Sequence, residues 1–281
     1  MLEIDAHFHL WQLERGDYSW LSSKREIIYK DFLPEDYHRA ISETQISQGV
    51  LVQSTNTLAE TEFLLNLTAD DQRVAAVVGW VDLANKDAPK QLEALSKHRK
   101  FVGVRAILPL EGDDGWLASE EVAQGLASLS RLGLTLDVLA LSHHLPAVAA
   151  ILPRYPDLQV VIDHAAKPAL ASGDTAKWQH DMQVCASFAN CFCKFSGFTA
   201  LLAPDWQATD LKDLSEAVLR MFGPERVMWG SDWPVLNETS SYKQWRQISG
   251  ELIESLAPPH RHQLFAGTAA HFYQLAKRAA R

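Results

Sequence analysis

Residues 5–9 read Asp-Ala-His-Phe-His, and the spacing of two between His7 and His9 is the first feature that could do chemistry. In a β-strand, side chains at i and i+2 share a face, so the two imidazoles project together while Ala6 and Phe8 face the other way. That geometry suits a shared metal ion or a shared substrate atom. An isolated His-x-His is more often a chance pair on a solvated edge strand, so the reading depends on what else reaches the same place.

Several polar residues sit at the ends of apolar runs: Gln53, Arg105, Asp137, His164, Lys194 and Asp232. Each has an ordinary explanation. His164 reads as a hydrogen-bonded core histidine, and Asp232 in Gly-Ser-Asp-Trp-Pro as the cap of a following helix. Lys194 can snorkel to solvent and Arg105 can pair with an acid at a rim. His143 and His144 precede Leu-Pro and read as loop or helix-start residues. Trp11, Trp80 and Trp233 read first as packing, with a sugar-stacking role open. Taken together, however, His7, His9, His164 and Asp232 are ligand-capable groups that one fold would bring to one mouth.

That fold is legible from the runs themselves. They begin at Leu2, Gly49, Val74, Phe101, Leu134, Leu158, Cys191 and Arg226, mostly about thirty residues apart, the size of one strand–helix–strand unit. Parallel strands with crossover helices follow, and the 281-residue length suits a single (β/α)8 TIM barrel, an α/β fold of roughly 250 residues. We read residues 1–281 as one barrel domain, with additional C-terminal helix from about Pro258 packed on the outside. Between strands, Leu214, Val218, Leu219 and Phe222 mark one helical face that stops at Gly223-Pro224. A second helix is expected to start at an N-capping Ser119 and end at Gly133. Active residues of such barrels lie at the carboxyl ends of the strands, where the polar residues above fall.

Composition narrows the partners. A formal net charge of −9 argues against nucleic acid or an anionic membrane surface and leaves a small polar substrate. The three cysteines, Cys185, Cys191 and Cys193, are an odd, clustered set that makes a poor disulfide framework. With Glu3 and Asp5 where a secretory signal would be basic, and no run of eighteen apolar residues, a cytoplasmic location is expected. Oligomeric state has no signature in the sequence.

The segments DAHFHLW, YSWL, VGVRAIL, PDLQVVIDHAAKP, CFCKFSGF, RVMWGSDWPV and AGTAAHFYQL, spread over nearly the whole chain in this order, resemble the amidohydrolase superfamily. Within it they are similar to the lactonase-like group of sugar-lactone and pyrone-dicarboxylate lactonases. The resemblance implies a hydrolase opening a lactone ring, a sugar aldonolactone first, at the mouth of the barrel. It assigns His7 and His9 to the strand-one His-x-His, His164 to the strand-six His and Asp232 to the strand-eight Asp. Members with two metals carry a carboxylated Lys on strand four and a His on strand five, where this chain has Arg105 and Asp137, so a binuclear centre is not expected. Arg105 matches the strand-four Arg of lactonase-like members, many of which follow it with His where this chain has Ala106.

The site expected from these readings has Asp232 as general base, with His164 and Arg105 as its catalytic companions. Lys194, Gln53, Asn56 and Trp80 are expected to contact substrate. One divalent metal, Zn²⁺ first, could be held by His7, His9, His164 and Asp232. A metal-independent site, with the imidazoles and Arg105 as hydrogen-bond donors, stays open beside it. A metal-dependent decarboxylase and a non-catalytic small-molecule-binding barrel are the alternatives.

Overall fold

The computed structural model describes residues 2–108, 115–170, 175–202 and 205–279. Eight parallel strands form one sheet whose spatial order is the order along the chain. They are β1 (Glu3–Phe8), β2 (Ile46–Val52), β3 (Val74–Gly79), β4 (Phe101–Ile107), β5 (Thr135–Leu139), β6 (Val160–Ile162), β7 (Cys191–Phe195) and β8 (Val227–Trp229). The intervening helices are α1 (Pro34–Ile41), α2 (Leu58–Leu67), α3 (Ala88–Leu95), α4 (Ala123–Leu132), α5 (Leu145–Ile151), α6 (Ala176–Ala186) and α7 (Lys212–Phe222). After β8 come α8 (Tyr242–Leu252), α9 (Pro258–His262), a π-helical turn over Gln263–Gly267, α10 (Thr268–Phe272) and α11 (Leu275–Ala279). All eight strands lie on the apolar runs of the sequence, and the (β/α)8 barrel is nearly closed.

The helix patterns act as their apolar spacing requires. α7 buries Leu214, Val218 and Phe222, leaves Leu219 half-buried against the same core, and stops at Gly223 in a positive-φ conformation. α4 ends at Gly133 but does not begin at Ser119. That residue closes a 3-10 turn over Trp116–Ala118, whose Leu117 is drawn into the core, and the helix starts only at Ala123, without a side-chain cap.

Ala6, Val50, Val52, Ala76, Val78, Val102, Val161, Phe192 and Met228 fill the lower lumen as a separate apolar cluster. The C-terminal helices close its bottom instead of lying on the outside as expected. Phe272 meets Phe192 edge to face at a centroid distance of 4.9 Å, and the buried Tyr273 reaches up to Asp137. The reason is apolar: the lumen ends in exposed valine and phenylalanine surface unless Ala269, Phe272 and Tyr273 cover it.

The seam between β8 and β1 is closed above the strands. Trp233 bridges in parallel to Phe8, the Asp232 amide donates to the His7 carbonyl at 2.8 Å, and the His9 amide donates to the Trp233 carbonyl at 2.7 Å. Among the described residues, no helix is long and apolar enough to cross a membrane. Cys185, Cys191 and Cys193 are buried free thiols.

Candidate active site

The pairing of β1 with β2 shifts register between Asp5 and Phe8, and that irregularity changes which side chains enter the lumen. His7 and His9 do converge, with their Nε2 atoms 3.1 Å apart. Ala6 nevertheless joins the lumen cluster, while Phe8 turns outward to stack on Tyr37 at 3.7 Å between centroids, so strict alternation fails here. It fails again on β4, where Val102 and Arg105 both serve the interior while Phe101, Val104 and Ala106 pack with the outer core.

Asp232 completes the cluster from the far end of the chain. Its Oδ1 lies 3.3 Å from His9 Nε2, 3.7 Å from His7 Nε2 and 3.8 Å from His164 Nε2. The residue holds φ at +58°, and Gly230 permits the close passage beneath it, since a Cβ there would lie 2.7 Å from His7 Cβ. His164 opens a run of four left-handed residues through Lys167, a conformation that costs roughly 1–2 kcal/mol for each non-glycine residue. Its Nδ1 is 2.8 Å from Ser196 Oγ, and Gly197, at φ +66°, lies so near that a Cβ would sit 2.6 Å from that nitrogen.

Burial sets the protonation of the three imidazoles. His164 is pushed down to about 4, chiefly by desolvation. His7 falls well below its ordinary value through burial and the charge of Lys194, and His9 falls through burial with Arg105 opposing a second positive charge. All three are therefore neutral near pH 7. Burial alone would raise Asp232, but the neighbouring imidazoles, His164 foremost, hold its carboxyl below the usual carboxylate range. A carboxylate among neutral imidazoles is a ligand set and a proton acceptor.

Beneath the mouth lies a layer of charge. Lys194 is fully buried, with Nζ 2.5 Å from Asp137 Oδ2, 3.0 Å from Asp163 Oδ1 and 3.0 Å from His7 Nδ1. Tyr273 donates to Asp137 Oδ2 at 2.8 Å. Burial raises Asp137 to about 6 against the pull of Lys194, whereas in Asp163 burial, the largest single influence, is outweighed by Lys194, His7 and His164 acting together, which keeps the group ionised. Arg105 spans mouth and layer: it donates to the Gln53 carbonyl, lies 3.3 Å from Gln53 Oε1, and sits 3.5 Å from both His7 Nε2 and Asp163 Oδ2. Gln53 is buried and 3.4 Å from Asn56 Oδ1. Asn56 and Trp80 line a cleft of about 230 Å³ beside the ends of β3 and β4, together with Asp82, Ala106 and Trp116.

The residue set fits one divalent cation. Two nitrogens bonded tetrahedrally to Zn²⁺ at ~2.0–2.1 Å stand about 3.3 Å apart, close to the 3.1–3.8 Å separations of these ligand atoms. His9 Nδ1, 2.8 Å from the Val52 carbonyl, must carry its hydrogen, which leaves Nε2 with a free lone pair toward Asp232. Asp163 Oδ1 is buried without a hydrogen-bond donor of good geometry and lies 3.6 Å from His7 Nδ1, ready to accept its proton once Nε2 is engaged. His7, Asp163 and His164 form a second candidate group that shares His7. Arg105 and Lys194 are outnumbered by Asp137, Asp163 and Asp232, so the buried charge favours a dication.

Sequence reasoning brought His7, His9, His164 and Asp232 to one mouth, as observed, and the structure adds Arg105 beside them; Gln53, set among the substrate contacts, lies against Arg105. The same reasoning set Lys194 among substrate contacts, where the structure shows its ammonium turned to protein partners behind His7. Asn56 and Trp80 flank the mouth without touching the imidazoles. Asp163, Ser196 and Trp116 were missed; of these, Asp163 was signalled by its place before His164 at the end of β6.

A parallel barrel with imidazoles and a carboxylate at its C-terminal mouth defines a hydrolase-type metal or proton-transfer site. Residues 4–275 match the amidohydrolase family, and the chain belongs to it. It is 36% identical over 276 residues to an L-fucono-1,5-lactonase of Burkholderia ambifaria, covering 97% of this chain and 95% of that protein. A second L-fucono-1,5-lactonase, from Burkholderia multivorans, is 35% identical over 290 residues, covering 98% and 96%. A crystal structure of a Burkholderia multivorans amidohydrolase with bound zinc superposes with a TM-score of 0.91 at 34% identity, covering 98% of this chain and 99% of that one.

Proposed function

We propose that this protein is a lactonase that opens a sugar 1,5-lactone of the L-fuconolactone type. The observation that carries the reading is the full-length likeness to two L-fucono-1,5-lactonases, on a chain whose ligand-capable residues meet at the barrel mouth. Lactone hydrolysis needs a proton acceptor for water, stabilisation of the oxyanion and a proton for the departing alkoxide.

Asp232 meets the first and last needs. Its carboxylate takes a proton from the attacking water as the carbon–oxygen bond forms, and returns it to the ring oxygen as the acyl–oxygen bond breaks. The side chain retains about 11% exposure, so water reaches it. Arg105, fixed by Gln53, places positive charge beside the cluster where the carbonyl oxygen becomes negative. His7, His9 and Asp232, with His164 adjacent, would hold one divalent cation, which when bound supplies Lewis-acid polarisation of the carbonyl and a more acidic water. Lys194 holds Asp137 and Asp163 behind His7 and is a positioning residue. Asn56, Trp80 and Trp116 form the flank against which the sugar ring lies.

The experiment is acid release from a panel of aldonolactones and pyrone carboxylates in weakly buffered indicator solution, before and after chelation. Turnover of L-fucono-1,5-lactone, lost on chelation and restored by Zn²⁺, is the expected result. Turnover that survives chelation would replace the cation by Arg105 and the imidazoles; carbon dioxide in place of simple acid would make the protein a decarboxylase.

A further inference from the structure

The lumen side of β1 carries the imidazoles; its outer side carries a buried carboxylate that the reaction does not use. Asp5 lies between the strand and the helix layer, fully buried. Its Oδ1 accepts from the backbone amides of Ser231 at 2.8 Å and His7 at 3.1 Å. Its Oδ2 accepts from the Ser231 hydroxyl at 2.6 Å and the Tyr242 hydroxyl at 2.9 Å, with Tyr37 OH at 3.5 Å. Ser231 Oγ in turn accepts from the Trp233 amide at 3.0 Å. The two residues flanking Asp232 are thus both tied, directly or through one hydroxyl, to a carboxylate two positions before His7.

This matters because β8 and β1 make no strand ladder. The seam depends on the Gly230–Trp233 segment lying on β1, and that same segment sets Asp232 in a left-handed conformation with Oδ1 aimed at the imidazoles. A left-handed aspartate is held by its surroundings rather than by its own preference. We infer that Asp5 is a positioning residue of the hydrolytic site: through Ser231 it locks the Asp232 carboxylate onto His7 and His9. The inference rests on the lactonase reading for its kinetic readout, and on geometry alone for its binding readout.

The test compares wild type, Asp5→Asn, Ser231→Ala and Tyr242→Phe for thermal midpoint, Zn²⁺ dissociation constant, kcat and KM on L-fucono-1,5-lactone. Asn keeps the size of Asp5 but presents a donor to the Ser231 hydroxyl; Ala cuts the link to Oδ2 and to the Trp233 amide. Both variants should lose ~10–100-fold in kcat and in Zn²⁺ affinity, the range for outer partners of metal ligands, with KM within about threefold. Tyr242→Phe removes a donor from the same carboxylate on the helix side, and should lower the thermal midpoint while leaving kcat and Zn²⁺ affinity within about twofold. Should Asp5→Asn fail to fold, Ser231→Ala decides. Folded variants with wild-type kcat and Zn²⁺ affinity overturn the assignment, as does Tyr242→Phe matching the losses of the other two. A wild type that binds Zn²⁺ but opens no lactone sinks the lactonase reading alone and leaves the affinity comparison decisive; a wild type that does neither overturns both.

Discussion

The two ends of the barrel lumen are built from the same eight strands and obey different rules. At the lower end, small and branched apolar side chains are capped by Ala269, Phe272 and Tyr273. At the upper end, neutral imidazoles, a depressed carboxylate, a run of left-handed residues and a register shift are packed together. One end has an arrangement that stabilises the fold; the other has one that costs stability and is retained for chemistry. Between them lies the Lys194 layer, which joins Tyr273 at the bottom to His7 at the top through Asp137.

The sharpest way to separate the ends is Phe272→Ala. It removes a buried ring and should cost about 3–5 kcal/mol of stability. The folded fraction should still turn over at the wild-type kcat, measured by denaturant unfolding and active-site-normalised rates. At the opposite end, His164→Gly should reverse the pattern. Catalysis falls about 10²-fold, while the thermal midpoint stays level or rises because glycine takes φ near +50° without the Cβ penalty.

Much of this contrast was legible in the sequence, for a physical reason. Parallel strands buried on both faces must be apolar runs, and their helices must show one apolar face, so the eight units announced themselves. Period-two reasoning paired His7 with His9 correctly but misplaced Ala6, because a register shift depends on how β1 meets β2 and leaves no local trace. The C-terminal helices looked like outer-layer elements since their apolar residues do not say which surface they cover. Asp5 and Lys194 were opaque in another way. A buried charge is defined by its partners, and those of Asp5 include Ser231 and Tyr242, more than two hundred residues away. Ser119 offered a capping residue, yet the burial of Leu117 in the preceding turn took precedence.

A smaller effect probes the loop after β2, which presents Gln53 and Asn56. Glu60 on α2 accepts from the amides of Ser54 and Thr55 and from the Ser54 hydroxyl. Burial raises its carboxyl from 4.5 to about 7 despite those bonds. The fold therefore retains a proton that the unfolded chain releases, so this group's contribution to stability is fully present below pH 4.5 and is lost as pH rises to 7. The loss should be on the order of 3 kcal/mol, and Glu60→Gln should flatten that part of the pH–stability curve measured by urea titration. Smaller again, Trp116→Ala, at the cleft flank, should raise KM about three- to tenfold with kcat nearly unchanged. Equal loss in kcat would move the sugar ring off that flank.

The role of Asp232 is decided by the steady-state rate of Asp232→Asn on L-fucono-1,5-lactone with Zn²⁺ supplied, beside its circular dichroism and thermal midpoint. With Asp232 as the proton acceptor, the variant should be a folded protein whose kcat has fallen by about 10²–10⁴-fold, the contribution expected of a positioned acid–base group. A folded Asp232→Asn protein that opens the lactone at close to the wild-type rate would contradict that role.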